Sequence, residues 1–362
     1  MSWGAPEAVA AVMLAALVLY ALSGGADFGG GVWDLLAFGP RAAAQRRLVE
    51  RAIAPIWEAN HVWLILLVVL LFTAFPRVFA AASIALHVPL TALLIGIVLR
   101  GGAFAFRQYG PPRPEYRRRW GRVFALASAV TPVVLGVVVG AVTSGDVRLA
   151  GGVPVGGFFA SWVGVFPLSV GILTLSLFAF LAAVYLAHDA SRLARDGAGA
   201  GAAAAGDFAP EVARALAEDF RRRALVAGAA LGPAALAAAL TAGPGTLHFR
   251  AALLGSPWSW PLQILTGGVA LGAFAALWRR RFALARGLAA AQAALILAGW
   301  GLAQQPYLLP PDFTIRGAAA PARTLELLLA ALAAGSVLLF PSLAWLYSVF
   351  SRPAPRPRPR AG

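Results

Sequence analysis

The sequence predicts an all-α, polytopic membrane helix bundle of about nine transmembrane helices, with the N-terminus outside and the C-terminus inside. Three observations predict it. Of the 362 residues 60% are hydrophobic and 12% charged, with a mean hydropathy of +0.76; the apolar residues are gathered into long runs; and the basic residues fall in alternate gaps between those runs. A fold in water cannot hide so much apolar surface. In hydrocarbon each crossing must satisfy its own backbone N–H and C=O groups, which a helix does internally. The runs are too long for the strands of a membrane barrel.

Taken in order, the apolar runs lie near residues 8–24, 52–75, 78–99, 122–143, 158–187, 223–242, 261–278, 282–303 and 324–350. A bilayer core of about 30 Å needs about 20 helical residues, and each run approaches or exceeds that. The longest, 158–187, is expected to tilt or to extend beyond the membrane. The first run has no basic segment ahead of it, only Glu7, so it reads as a span and not as a signal peptide. The basic stretch from Arg41 to Arg51 is expected to lie at the interface before the second span. The connections are short apart from the one at about 188–222. There an Ala/Gly tract, Gly197 to Gly206, reads as a flexible linker leading to Pro210, Glu211 and a basic helical stretch. Residues 1–350 thus form one transmembrane domain, and 351–362 a basic Pro/Arg cytoplasmic tail.

All thirty basic residues are arginine. With odd-numbered spans running from outside to inside, only Arg77, Arg148, Arg250, Arg316 and Arg323 fall outside. So uneven a split supports the span count and the N-out, C-in orientation together, because one missed helix would scramble the alternation. The same split accounts for the net charge of +15 and the pI of about 11.6. The arginines are spread over five inner segments and not gathered on one domain, which argues for contact with anionic membrane lipid and against nucleic acid as a partner. With no cysteine, thiolate-held clusters, disulfides and a covalently cysteine-attached haem are excluded.

Ionisable groups within the membrane are costly and mark the places to look for function. Asp27 sits in the run Gly24-Gly25-Ala26-Asp27-Phe28-Gly29-Gly30-Gly31 at the end of the first apolar run. This run lacks the strand and the glycine spacing of a nucleotide-binding loop. Its glycines read as a tight turn with close helix packing, Gly25 and Gly29 forming a small-xxx-small pair, while the Asp27 charge needs a partner. Glu58, Asn60 and His61 open the second span between Trp57 and Trp63. Glu58 and His61 are three apart and share a face. A carboxyl roughly 10 Å inside the helix start is desolvated, which brings its charged and neutral forms closer in energy and suits it to proton transfer; a purely structural polar cluster is the competing reading. His87, near the middle of the third span and two residues before Pro89, is a weak metal-ligand candidate, and a bond to a carbonyl freed by the proline explains it more simply. Arg100, at the inner end of the same span, reads either as a snorkelling anchor or as the partner of Asp27, which lies at the same level.

Several of these segments resemble subunit II of the cytochrome bd quinol oxidases. They are Asp27-Phe28-Gly29, the basic stretch to Arg51, and Ala54-Pro55-Ile56-Trp57-Glu58-Ala59-Asn60-His61-Val62-Trp63-Leu64-Ile65. Phe72 to Pro76 and Leu99-Arg100-Gly101-Gly102-Ala103-Phe104 to Arg107 continue the resemblance. It thins later to Gly157-Phe158-Phe159, Tyr307 to Pro310 and Pro341 to Tyr347. The resemblance implies a nine-helix subunit of a prokaryotic plasma-membrane enzyme, packed beside a subunit I that carries b- and d-type haems and the quinol site, with quinol as substrate of the complex and no cofactor held by this chain. It implies for Glu58 the place of an intramembrane acid, usually aspartate, on a proton path toward the haems, and for Asp27 and Arg100 positions that stay polar. Three residues depart from the common pattern: His61 in place of glutamine or glutamate, Ala59 in place of glycine, and His87 in place of an aromatic residue. Two other classes compete, a proton-coupled secondary transporter and a purely structural membrane subunit. The transporter reading lacks paired interrupted helices in corresponding halves of the chain.

Overall fold

The computed structural model describes residues 4–53, 60–200 and 208–351, which form twelve helices, one 3-10 turn and two short hairpins. Eight of these helices are long and apolar enough to cross a bilayer, and nine crossings result if one bent pair counts as a single span. The expectation of about nine spans therefore stands.

The first helix, α1 (Ala5–Leu35), does not stop at the glycine run. Gly24 to Gly31 lie inside it, so the expected turn is absent and Asp27 sits within the helix. The glycines serve packing instead. A Cβ on Gly29 would overlap the Phe178 carbonyl, and one on Gly31 would overlap the Ser128 side chain. These two positions let α1 press against the backbones of its neighbours α6 (Pro114–Ser144) and α7 (Val165–Ala200). Close approach of this kind replaces, in lipid, the hydrophobic drive that is missing between helices.

The basic stretch forms the short amphipathic helix α2 (Ala42–Ile53), with Leu48, Val49 and Ile53 buried. Its polar side is tied to α8 (Pro210–Thr241): Arg41, just before α2, donates from Nε and Nη2 to Asp219 at 2.8 and 2.7 Å, and Gln45 Nε2 donates to Asp219 at 3.3 Å. The Asp219 carboxylate raises the Arg41 guanidinium above its ordinary value.

The second and third apolar runs are divided differently from the expectation. Helix α3 (Asn60–Ala74) ends before Pro76, and α4 (Pro76–Ala85) departs from it at 116°. Proline has no N–H to continue the helical ladder, and its ring disfavours helical backbone in the residue before it, here the buried Phe75. A second break falls at Leu86, because Pro89 cannot donate to the Ala85 carbonyl. The third span is α5 (His87–Tyr109), which starts and ends later than 78–99.

Helix α6 returns to the opposite end, and the long α7 follows, starting at Val165 after a turn region in place of residue 158. Helix α7 is the axis of the molecule, packing on α1, α6, α8 and α11 (Phe282–Gln304). Of the Ala/Gly tract expected as a linker, residues 197–200 continue α7, which ends at Ala200; α8 begins at Pro210, and the two helices form an antiparallel pair reaching past the apolar core. Residues 201–207 of the Ala/Gly tract and the tail at 352–362 lie outside the described residues. A 3-10 turn (Pro244–Thr246) and α9 (Leu247–Gly255) lead to α10 (Ser259–Trp278), then α11, then α12 (Ala322–Ser351).

Two apolar cores result. The larger lies toward the arginine-rich end and joins α1, α2, α7, α8 and α11 around Phe28, Phe178, Leu181 and Phe220. The smaller lies at the opposite end, where the start of α1, the end of α3, and α4 meet Leu309, in the second hairpin, and Ile315, just after it.

The packing of α1 yields a test. Gly29→Leu should cut the monodisperse fraction on detergent size-exclusion chromatography several-fold, because overpacking against backbone costs about 3 kcal/mol or more. Gly232→Ala, where an added Cβ meets nothing within 4 Å, should leave it unchanged.

Candidate functional site

The centre of the molecule holds a carboxylate and a guanidinium withdrawn from solvent. Asp27 on α1 and Arg100 on α5 are each 1% exposed. Arg100 Nη2 donates to Asp27 Oδ1, and Asn60 Nδ2, from the first residue of α3, donates to Asp27 Oδ2 at 3.0 Å. Arg100 Nε donates to Ser128 Oγ on α6 at 3.1 Å. The guanidinium carbon also lies 4.7 Å from the centre of the Phe28 ring and 5.3 Å from that of Phe124. Four helices thus supply the site, and each satisfies a defined part of the buried charge. The carboxylate accepts from two donors, while the guanidinium has an anion, a hydroxyl and two ring faces.

Local sequence explains why this is possible. Gly31 admits Ser128 to the α1 surface, which brings the hydroxyl within reach of Arg100. Arg100 is not at a helix end as expected, since α5 runs nine residues further, to Tyr109, so the side chain cannot snorkel to water. It spans the gap to α1 instead.

A second ion pair lies seven residues further along both helices. Arg107 donates to Asp34 through both terminal nitrogens, at 3.0 and 3.2 Å, and its Nε lies 2.7 Å from Glu50 Oε1 on α2. The spacing Asp27/Asp34 on α1 repeats in Arg100/Arg107 on α5. Seven residues is nearly two helical turns, so each pair of like residues shares a face. Sequence reasoning missed Asp34, Glu50 and Arg107 as site residues, although this matched spacing was the signal. It also missed Ser128, Phe28 and Phe124, which carry no pattern of their own.

The remaining candidates are placed as follows. Asn60, expected beside Glu58, turns to Asp27. Its Oδ1 and the buried Tyr20 hydroxyl have no hydrogen-bond partner among the described residues. His61 follows Asn60 on α3 and is partly buried. Glu58 lies outside the described residues. His87 is not in mid-membrane: it is the first residue of α5, exposed, with Nδ1 3.3 Å from the Ile84 carbonyl oxygen and its ring edge-to-face with Phe158 at 5.2 Å. The proline that breaks the ladder places it there. No group of three metal-ligating side chains converges among the described residues.

Fold and site together define a multi-pass α-helical membrane protein built around a buried Asp–Arg–Asn cluster. The sequence matches the cytochrome bd terminal oxidase subunit II family over residues 5–350, and the chain belongs to that family. It is 33% identical over 129 residues to the cytochrome bd-I ubiquinol oxidase subunit 2 of Escherichia coli (strain K12), covering 36% of this chain and 33% of that protein. It is also 33% identical over 113 residues to the cytochrome bd ubiquinol oxidase subunit 2 of Bacillus subtilis (strain 168), covering 31% and 32%. These alignments span about a third of each relative's length. A chain of the bd oxidase structure from Geobacillus thermodenitrificans has the same fold, with a TM-score of 0.70 and 23% identity over 96% of this chain and 98% of that one.

Coupling within the central pair is measurable. Arg100→Leu alone should destabilise the folded chain by about 3–5 kcal/mol, since it leaves a buried carboxylate without its cation. The double replacement Asp27→Leu/Arg100→Leu should cost less than either single change. Thermal unfolding of the detergent-purified chain checks this; a double variant equal to the sum of the singles would mean the two residues are not coupled.

Proposed function

We propose that this chain is the non-haem subunit of a quinol:oxygen oxidoreductase, oriented N-out and C-in, and that it contributes a proton route toward a haem-bearing partner subunit. Family membership supports the enzyme, and the relatives from Escherichia coli and Bacillus subtilis are ubiquinol oxidase subunits by name. The arginine distribution supports the orientation. In this reading the b- and d-type haems and the quinol site belong to the partner. Reduction of oxygen at such haems consumes protons, and drawing them from the inner side would build a membrane potential.

The observation that carries the proton route is the polar chain that starts α3 and ends in the core. Glu58 stands two residues before Asn60, and Asn60 is bonded to Asp27, itself bonded to Arg100. Glu58 is the group that takes up and releases the proton. Asn60 and His61 orient it, and Asp27 with Arg100 fixes the electrostatic environment behind it. The unmatched Asn60 Oδ1 and Tyr20 hydroxyl are buried polar atoms beside this chain, and they suit a hydrogen-bonded path more than an inert core.

Glu58→Gln, which keeps shape but cannot ionise, should slow quinol-driven oxygen consumption on the order of tenfold or more, while haem content and assembly stay near wild type. Glu58→Asp should retain more activity. Turnover at the wild-type rate with an unchanged pH profile would make Glu58 structural. The chain expressed and purified without its partner should show no Soret band; one that is lost on His87→Ala would place a haem here.

A further inference from the structure

At the arginine-rich end, away from the Asp27 cluster, a surface groove of about 800 Å³ opens between α7, α8 and the α10–α11 turn. Arg195, Arg214, Arg280 and Arg281 line it, and its apolar wall includes Phe282 and Leu284. Among the described residues one acidic side chain lines it, Glu218, and it is already engaged: Arg221 donates to it at 2.9 Å, and Arg280 Nε does so at 3.2 Å. Among the described residues, Arg195 donates to the Ser191 carbonyl on its own helix and forms no ion pair, and neither do Arg214 and Arg281. The described lining therefore carries an excess of positive charge, four arginines against Glu218.

The backbone of the turn makes a second, independent point. Helix α10 ends with Arg281 N donating to the Ala276 carbonyl at 2.8 Å and Arg280 N to the Leu277 carbonyl at 3.1 Å. This closure requires a left-handed residue, and Arg280 adopts it at φ 55°, alone among the described non-glycine residues. Glycine is the usual occupant of such a site because it has no Cβ to clash. Here three consecutive arginines fill the turn, and one is held in an unfavourable conformation facing the groove. On either side of the arginines, Trp278 is 74% and Leu284 50% exposed.

We infer that this groove binds the phosphodiester headgroup of an anionic membrane lipid, with Arg214, Arg280 and Arg281 receiving the phosphate and the Phe282–Leu284 wall meeting the acyl chains. Guanidinium forks match phosphate oxygens in geometry as well as charge. An indole and a leucine exposed beside the arginines belong at the boundary between headgroups and hydrocarbon. A free phosphate ion would have no use for the apolar wall, which decides the source in favour of lipid.

Native mass spectrometry of the full chain in a mild non-ionic detergent tests this, with dioleoyl phosphatidylglycerol, dioleoyl phosphatidylcholine and inorganic phosphate as probes. Phosphatidylglycerol should bind about tenfold more tightly than phosphatidylcholine and resist competition by millimolar phosphate. Arg214→Gln/Arg281→Gln should abolish that preference, while Arg148→Gln, at the opposite end, should leave it intact. Arg280→Gly should weaken phosphatidylglycerol binding yet preserve or raise thermal stability, since glycine relieves the positive φ. Equal retention of the two lipids, an unaffected Arg214→Gln/Arg281→Gln variant, or displacement of the lipid by inorganic phosphate would overturn the proposal.

Discussion

Everything in the central part of the molecule follows from one constraint: a carboxylate and a guanidinium have been taken out of water together, and neither can stay there without the other. Asp27 and Arg100 meet across a gap that the backbones of α1 and α5 do not close. The guanidinium must be fed from several directions, and Ser128, Phe28 and Phe124 do this. The carboxylate's remaining oxygen fixes the start of α3 through Asn60. Helices α1, α3, α5 and α6 are thereby held by polar contacts of defined geometry, in an environment where apolar surfaces alone discriminate poorly between arrangements. Replacing the pair by well-packed apolar residues need not lower stability. What the pair supplies is the defined arrangement of the four helices that meet at it.

How far the sequence disclosed this arrangement varied with the physics behind each feature. The existence and number of the spans were legible because apolar run length and arginine asymmetry are read directly from composition. The ends of the spans were not. Helices α1 and α5 continue beyond their apolar runs because Asp27, Asp34, Arg100 and Arg107 are neutralised within the fold, and a hydropathy reading treats each of them as an end. The split between α3, α4 and α5 was written in Pro76 and Pro89, but the 116° bend depends on how α4 packs over the smaller core.

The site was legible to a similar degree. An intramembrane charge announces itself, so Asp27 and Arg100 stood out, and their common depth suggested each as partner for the other. Asn60 was found as a site residue but its bond to Asp27 was not, because position on a helix gives the face of a side chain and not the helix opposite it. His87 was misplaced since its depth was counted from an apolar run that begins with a separate helix. Ser128 and the two phenylalanines are ordinary residues at the resolution of sequence; only the approach of α6 through Gly31 gives them a role.

The two ion pairs joining α1 and α5 have a mechanical consequence. Because aspartates and arginines repeat at the same seven-residue interval, the helices carry matching teeth about 10.5 Å apart. Sliding α5 along α1 by a single turn would unseat both at once, with no alternative engagement on the way. A full two-turn slip would restore one contact and strand the outer members. The pair of contacts thus behaves as a detent, giving the bundle one axial setting and a steep rise in energy on either side of it.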